Sequence, residues 1–224
     1  MRTNPNHLQL AWVLHRRPYQ DTALILELFT SQHGRVGAVA RGGRKQPLLQ
    51  PFQPLLVQLG GGGELLRMQK YEAASAAVPL KKQQLYCGLY LNELLVRLLF
   101  RHEKQPRLLE AYADALEALS QEQEAMDVVL RRFELLLLAE LGYGVHFTHD
   151  AQGNPLQEQH CYAWQPEQGW VLHKEGWRGE HLLAIAQEQW RPEVRRTARN
   201  VMRTLLAPYL GPKPLLSRTL FQQA

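Results

Sequence analysis

A glycine pair flanked by cations is the segment of this sequence best suited to bind phosphate. It consists of Arg41, Gly42, Gly43, Arg44 and Lys45. Glycine lets the backbone approach a phosphate group closely, and arginine donates paired hydrogen bonds to phosphate oxygens. The segment lacks the G-x-x-x-x-G-K-[ST] spacing of a Walker A loop. Its chemistry therefore favours contact with a phosphate backbone, and a flexible solvated loop is the alternative.

The charge distribution places this loop in a basic region. Residues 1–80 hold 9 basic and 4 acidic side chains, and the remaining 144 residues hold 17 of each. A basic region attached to a neutral one favours a polyanionic partner. The predicted DNA-binding residues are eight cations and one aromatic residue of this region: Arg16, Arg17, Tyr19, Arg35, Arg41, Arg44, Lys45, Arg67 and Lys70.

Stacking on nucleic-acid bases requires an exposed aromatic ring. The candidates in the basic region are Trp12, Tyr19, Phe52 and Tyr71, and each could instead be a core residue. Tyr19 is preferred because it follows two arginines in a predicted turn over residues 15–19, where a side chain is exposed more often.

Arginines also recur near the end of the chain. Arg195, Arg199 and Arg203 are four residues apart, so a helix would place them on one face. No acidic residue follows any of them at the fourth position, and they repel one another unless an anion approaches. An acidic peptide or DNA would serve as that anion, and a solvated helix face is the alternative.

Arg131 and Arg132 lie in a very apolar helix predicted over residues 127–141. A charge on a mostly buried helix is costly unless it is paired. Glu134 or Glu140 could pair with these arginines, or an anionic ligand could bind them. The sequence leaves both interpretations open.

The sequence gives little support for catalysis or metal binding. The sequence contains no G-x-S-x-G or H-E-x-x-H motif. A nuclease or nucleotidyl transferase needs clustered carboxylates to hold divalent metals, and the basic region has only four widely spaced acids. Structural zinc needs closely spaced pairs of Cys or His, and the two cysteines, Cys87 and Cys161, form no such pair. We therefore predict no enzyme activity, cofactor or metal. Besides an enzyme, the second alternative to a DNA-binding protein is a protein scaffold without DNA contact.

The residue pattern predicts an α+β protein. Short strands are predicted over residues 8–14, 23–29, 35–41, 55–59 and 65–71, with four glycines at 60–63 forming a hairpin turn. Five short strands in about 75 residues fit a closed oligonucleotide-binding (OB) barrel. After Pro79 the pattern predicts helices over residues 85–100, 106–119, 127–141, 182–190 and 193–206. The predicted domains are a DNA-binding OB fold over 1–79 and a helical domain over 80–224, with a loop-rich insertion at about 143–180.

The sequence shows no signal peptide or membrane-spanning segment, which favours the cytoplasm. The N-terminus lacks the long apolar run of a signal peptide, and two cysteines make no disulfide framework. The longest apolar run, residues 135–139, is too short to span a membrane. We expect a cytoplasmic protein associated with the nucleoid and with no membrane partner.

Several segments resemble the RecO family of recombination mediators in DNA repair. The matching motifs are Trp12-Val13-Leu14-His15-Arg16-Arg17-Pro18-Tyr19, Phe29-Thr30 with His33-Gly34-Arg35-Val36, Arg41-Gly42-Gly43-Arg44, Gln50-Pro51-Phe52-Gln53-Pro54-Leu55, Tyr90-Leu91-Asn92-Glu93-Leu94-Leu95, Arg132-Phe133-Glu134-Leu135, Leu141-Gly142-Tyr143 and Lys213-Pro214-Leu215 with Ser217-Arg218. They occur in family order from about residue 8 to the C-terminus.

The resemblance implies an N-terminal OB barrel, a helical C-terminal domain and no catalytic turnover. It implies binding to single- and double-stranded DNA and annealing of complementary strands. It also implies that the protein acts with RecR to load RecA onto strands coated by single-strand DNA-binding protein. The acidic, Phe-ending tail of that coating protein is a further implied partner, and Arg132, Arg199 and Arg203 are its predicted binding residues.

Two features depart from the family pattern. Some relatives carry a four-cysteine zinc site in the region corresponding to 143–180, where this chain has only Cys161, so zinc is not expected. The basic loop usually has Lys-Gly-Ala-Arg; here Arg41 and Gly43 replace Lys and Ala. The charge is kept, and a more mobile loop is expected.

Overall fold

The structure is a computed structural model that describes residues 8–220. The chain divides into two compact units. Unit 1 comprises residues 1–123 and 214–224, and unit 2 comprises residues 124–213. Each unit is described separately below. No described helix is long and apolar enough to cross a membrane.

Unit 1 begins with a closed five-stranded barrel, as the sequence predicts. Its strands are β1 (Gln9–Tyr19), β2 (Ala23–Thr30), β3 (Gly34–Ala40), β4 (Pro54–Gly60) and β5 (Leu65–Ala73). They follow one another around the barrel in the order β1-β2-β3-β5-β4, and β1 pairs with β4 to close it. Neighbouring strands are antiparallel except for β3 and β5. Closure leaves few exposed sheet edges of the kind that promote aggregation.

Small and branched apolar side chains fill the barrel interior. The cluster includes Val13, Leu26, Leu28, Val36 and Leu55. Strand β2 is buried along nearly its whole length, and Glu27 is its only residue that is not fully buried. This agrees with its almost continuous apolar sequence, which is typical of a strand covered on both faces.

The predicted turn over residues 15–19 is wrong, because β1 continues through it. Arg16, Arg17 and Pro18 pair with β2 after a bulge near Val13, and the chain reverses at residues 20–22 instead. Strand β4 pairs with β1 only from Gln9 to Trp12, so the second half of β1 is an edge. Proline is tolerated on an edge strand, where its missing N–H breaks no ladder hydrogen bond.

Three helices complete the described part of unit 1: α1 (Gln83–Leu98), α2 (Pro106–Gln121) and the short α6 (Leu216–Leu220). Helices α1 and α2 contact the barrel, and α6 packs on α1. The buried ring of Tyr112 on α2 meets Trp12 edge-on, with 5.5 Å between ring centroids. Its hydroxyl donates to Asn92 Oδ1 at 2.5 Å, and Asn92 Nδ2 donates to the Leu14 carbonyl at 3.0 Å. Burial raises the pKa of Tyr112, which keeps this hydroxyl a donor.

The sequence does not predict α6, which depends on tertiary contacts. Glu93 of α1 accepts hydrogen bonds from the backbone N–H groups of Leu216 and Ser217, both at 2.8 Å. A carboxylate at this end satisfies N–H groups that have no partner inside the helix. The buried side chains of Leu215 and Ser217 fix the segment in unit 1.

Unit 2 consists of three helices and a small antiparallel sheet. Its elements are α3 (Met126–Glu140), β6 (Cys161–Gln165), β7 (Gly169–Leu172), β8 (Trp177–Arg178), α4 (Gly179–Ala186) and α5 (Pro192–Leu210). The strand order is β7-β6-β8. Gly142 follows the end of α3 as the predicted C-cap glycine: it has φ 82°, and its N–H and that of Tyr143 donate to the carbonyls of Ala139 and Leu138.

Aromatic rings form the core under the small sheet. Trp170 is fully buried and contacts Phe147, Trp164 and Trp177, with ring centroids 5.2–5.9 Å apart. Its indole N–H donates to the His146 carbonyl at 3.0 Å. Among residues 8–220, no three side chains of the types that bind metal come together. That the protein binds no zinc stays a prediction, which elemental analysis of the purified protein would test.

Candidate functional sites

The basic loop is held against the turn between β1 and β2. The Arg44 backbone N–H donates to the Thr22 carbonyl at 3.1 Å, and its guanidinium donates to the Gln20 carbonyl at 2.6 Å. Arg16 of β1 donates to the Leu49 carbonyl at 3.2 Å. These contacts bring the end of β1, where Tyr19 lies, together with the loop.

The loop has a regular backbone conformation despite its two glycines. Residues Gly43–Lys45 make one turn of 3-10 helix, preceded by Gly42 at φ 67°, a backbone angle that favours glycine. Gly43 is buried, and a Cβ on it would lie 3.1 Å from the Ala40 Cβ and 3.2 Å from Leu49. The glycine pair therefore allows a tight, packed turn, with Arg41, Arg44 and Lys45 exposed around it.

A bulge in β5 puts two further cations on the same face of that strand. The register with β4 shifts near Gln69, and both Met68 and Tyr71 pack against the barrel core. Arg67 and Lys70 are both exposed. A regular strand would place residues three apart on opposite faces, so the bulge is needed for this arrangement.

Seven cations are exposed on the barrel, and we name them the barrel cations: Arg16, Arg17, Arg41, Arg44, Lys45, Arg67 and Lys70. None of them forms a salt bridge with any residue in the described range 8–220. Their charge is therefore not cancelled by neighbouring carboxylates, and it creates the positive potential that attracts a polyanion.

Tyr19 is the exposed aromatic residue among the four stacking candidates, with 40% of its surface accessible. Trp12 and Phe52 are buried, and Tyr71 is half-buried against the barrel core. The preference for Tyr19 agrees with this exposure, although Tyr19 ends a strand and does not lie in the predicted turn.

Arg35 differs from the barrel cations in its burial and its hydrogen bonding. Its side chain is half-buried and donates to the carbonyl of Val96 in the last turn of α1. Burial is the main cause of its lowered pKa, with Arg101 adding to the effect and Glu27 opposing it. A carbonyl at the end of a helix has no partner within the helix, so Arg35 satisfies it. We therefore leave Arg35 outside the nucleic-acid interface.

In unit 2, the two arginines of α3 differ sharply. Arg131 is buried and donates to the buried Glu134 at 2.5 Å, so ion pairing is its role. Arg132 is 43% exposed and lies between two carboxylates. It donates to Glu124 at 2.6–2.7 Å and to Glu188 at 2.8–2.9 Å. The sequence predicts Glu134 or Glu140 as partners, and it misses this second pair.

A groove of about 360 Å³ opens beside Arg132. Its apolar lining includes Leu135, Phe147 and Ile185. The indole N–H of Trp190 at the groove is buried and has no hydrogen-bond partner among the described residues. The groove therefore offers an apolar pocket, a buried donor and a cation at one place.

Arg199 and Arg203 do not line this groove. Both are exposed on α5. Arg195, the third arginine of the predicted stripe, donates to the two carboxylate oxygens of Asp127, from Nε at 2.9 Å and from Nη2 at 2.5 Å. This hydrogen bonding raises the pKa of Arg195. The sequence predicts that an anion must approach this stripe, and for Arg195 that anion is Asp127 of α3.

The comparisons with known proteins cover both units. The family model for the recombination protein O N terminal matches residues 1–77, and that for the recombination protein O C terminal matches residues 83–219. The DNA repair protein RecO of Klebsiella pneumoniae (strain 342) is 42% identical over 227 residues, which cover 96% of this chain and 92% of the relative.

Two further relatives are equally similar. The DNA repair protein RecO of Serratia proteamaculans is 43% identical over 225 residues, covering 95% of this chain and 92% of the relative. That of Escherichia coli O139:H28 is 42% identical over 226 residues, covering 96% and 93%. Together with the barrel and its exposed cations, these matches show that the chain belongs to the RecO family and acts in DNA repair and recombination.

Proposed function

We propose that the barrel binds DNA through its phosphates and anneals complementary strands. The observation that carries this proposal is the set of seven barrel cations, which have no carboxylate partners among the described residues. Binding would release counterions condensed on the DNA, so affinity should fall as salt rises. Two strands held in one positive field repel each other less, which favours their pairing.

Tyr19 would add a stacking contact for an unpaired base. Its ring is exposed, and the Arg44 guanidinium donates to the carbonyl of Gln20, the next residue along the chain. Stacking on an aromatic ring tolerates any base and contributes about 1–3 kcal/mol per base. This combination supports binding that depends little on sequence.

The test is the salt dependence of single-strand binding. The double variant Arg41→Ala, Lys45→Ala removes two exposed charges without removing any described hydrogen bond of the loop. Its slope of log K against log salt should be less steep by about 1.4, taking roughly 0.7 per phosphate contact. Lys104→Ala, an exposed cation outside the barrel, is the control and should leave the slope unchanged. An unaltered slope in the double variant would refute phosphate contact by this loop.

We further propose that the groove of unit 2 binds the acidic, Phe-ending tail of single-strand DNA-binding protein. The cation beside an apolar pocket supports this, since such a tail needs a partner for its carboxylates and a site for its aromatic ring. The unpaired Trp190 N–H offers a donor to a peptide carbonyl or carboxylate.

This second proposal is tested by fluorescence anisotropy with a labelled acidic peptide that ends in phenylalanine. Arg132→Ala should weaken binding by at least about tenfold, because a hydrogen bond to a charged group contributes roughly 1.5–3 kcal/mol. Arg178→Ala is the control: it is also exposed and ion-paired in unit 2 but does not line the groove. Equal loss in both variants would count against the groove.

The remaining steps rest on family membership. We propose that the chain works without catalysis, together with RecR, and helps RecA to assemble on strands coated by single-strand DNA-binding protein. The tail contact would bring it to coated strands, and the barrel would then engage DNA. Purified RecR and RecA in a strand-coating assay would test this order, since a defect in Arg132→Ala should appear only on coated DNA.

A further inference from the structure

The cation of the proposed peptide groove is already neutralised within unit 2. The Arg132 guanidinium contacts both oxygens of Glu124 and one oxygen of Glu188. A guanidinium has five N–H donors in a fixed plane, and bidentate contact with an incoming carboxylate uses two of them. A ligand carboxylate must therefore displace one of these two glutamates or compete with it.

Glu188 is the partner that can leave at lower cost. Its side chain is 59% exposed, whereas that of Glu124 is 33% exposed. Once released, Glu188 regains contact with water over most of its surface. Glu188 also lines the groove itself, so its departure clears the mouth where a ligand would enter.

The backbone at Glu188 is unusual for this residue type. The N–H of Glu188 bonds to Ile185, and that of Gln189 bonds to Ala184, which closes α4 in the manner that normally uses glycine. Glu188 has φ 55°, in the left-handed region. Backbone geometry thus favours glycine here and gives no reason for glutamate, while the contact with Arg132 does.

We propose that Glu188 is an internal competitor that occupies the ligand position on Arg132 and so limits the affinity of the groove for acidic peptides. The peptide carboxylate replaces the Glu188 carboxylate on the guanidinium, and the aromatic end fills the apolar pocket. A peptide with only one of these groups gains too little to complete the exchange. This inference rests on the proposed peptide-binding function of the groove.

The test uses the full chain and the labelled acidic peptide ending in phenylalanine. Glu188→Gln should tighten binding by about two- to fivefold, the range expected for removal of one exposed ion pair. Glu188→Asn should do the same, since asparagine tolerates the left-handed backbone and carries no charge. The gain should shrink as salt is raised, because exposed ion pairs are screened.

Glu167→Gln provides a matched control. Glu167 is also an exposed glutamate of unit 2 in the left-handed region, at φ 66°, but it lies in the turn between β6 and β7 and does not line the groove. The control should bind the peptide as the wild type does. An equal gain in the control would show a general effect of net charge and would overturn the proposal.

The other outcomes separate this inference from the groove itself. If Arg132→Ala loses the peptide and Glu188→Gln binds as the wild type does, the groove function stands and the competitor role is wrong. Weaker binding by Glu188→Gln would make Glu188 a positioning residue for Arg132, which also contradicts the proposal. If Arg132→Ala binds normally, both proposals fail.

Discussion

The barrel cations and four arginines of unit 2 have opposite surroundings. Those of the barrel are exposed and form no salt bridge with any residue between 8 and 220. In unit 2, Arg131, Arg132, Arg191 and Arg195 each face a carboxylate within 3.2 Å. Arginine therefore leaves a surface open to a polyanion on the barrel and forms internal ion pairs at these four positions of unit 2.

This difference predicts which property each substitution changes. Loss of an unpaired surface cation removes attraction for DNA and leaves the free energy of unfolding nearly unchanged. Loss of a paired arginine leaves a carboxylate without its partner. The resulting loss in the free energy of unfolding grows with the burial of that carboxylate. Measurements of both stability and binding on the same variants would test the comparison.

Arg131→Ala should have the largest effect. It leaves the fully buried Glu134 without its arginine, and we expect a loss of about 3–5 kcal/mol in the free energy of unfolding. Urea denaturation followed by circular dichroism measures this. The double variant Arg131→Met, Glu134→Leu should recover most of the loss, because neither charge then remains buried. A single variant as stable as the wild type would show that the pair has no structural role.

Arg35→Ala should have the second largest effect, and it tests the same contrast between paired and unpaired cations within unit 1. It removes the donor to the last turn of α1, and we expect a loss of about 1–3 kcal/mol for the carbonyl left unpaired. Single-strand binding should stay within twofold. Arg17→Ala, an exposed barrel cation, should show the reverse pattern of weaker DNA binding and unchanged stability. If Arg35→Ala behaved like Arg17→Ala, Arg35 would belong to the DNA surface after all.

Asp127→Ala should lower the free energy of unfolding by about 1 kcal/mol. It removes a partly exposed ion pair with Arg195 and a favourable negative charge in the first turn of α3. Thermal or urea unfolding of the full chain is the measurement. Asp127→Asn should lose less, because its side-chain oxygen still accepts one hydrogen bond from Arg195. A cost as large as that of Arg131→Ala would mean that exposure does not control the strength of these pairs.

The smallest effect is expected for Arg199→Ala combined with Arg203→Ala. Neither residue lines the groove, so peptide affinity should change by less than twofold. The anisotropy assay that detects the loss in Arg132→Ala measures this. A tenfold loss in the double variant would restore the sequence-based assignment of all three arginines to one peptide site.

Sequence patterns predict local structure well in this chain and predict long-range partners poorly. Alternating or continuous apolar runs and glycine turns locate the five strands of the barrel, and apolar periodicity locates α1 to α5 within a few residues. The end of β1 is missed because an edge strand accepts Pro18, a residue that usually marks a turn. Helix α6 is missed because Glu93, over 120 residues earlier, caps it.

The candidate sites show the same difference between local features, which the sequence predicts, and long-range partners, which it does not. The loop cations and Tyr19 are predictable because their exposure depends on nearby sequence. The partners of Arg132 and Arg195 are not, since Glu188 and Asp127 are 56 and 68 residues away along the chain. Glu188 occupies a backbone conformation that favours glycine, which draws attention to its side chain, and only the backbone angles reveal this.

The return of the chain to unit 1 at α6 affects how the protein folds during synthesis. The ribosome releases the barrel, α1 and α2 first, but Leu215 and Ser217, which are buried in unit 1, are made only after all of unit 2. Until then, Glu93 and the α1 surface that α6 covers are open. The nascent chain must therefore keep an incomplete unit 1 soluble throughout translation of unit 2, and this interval is where we expect chaperones to be needed.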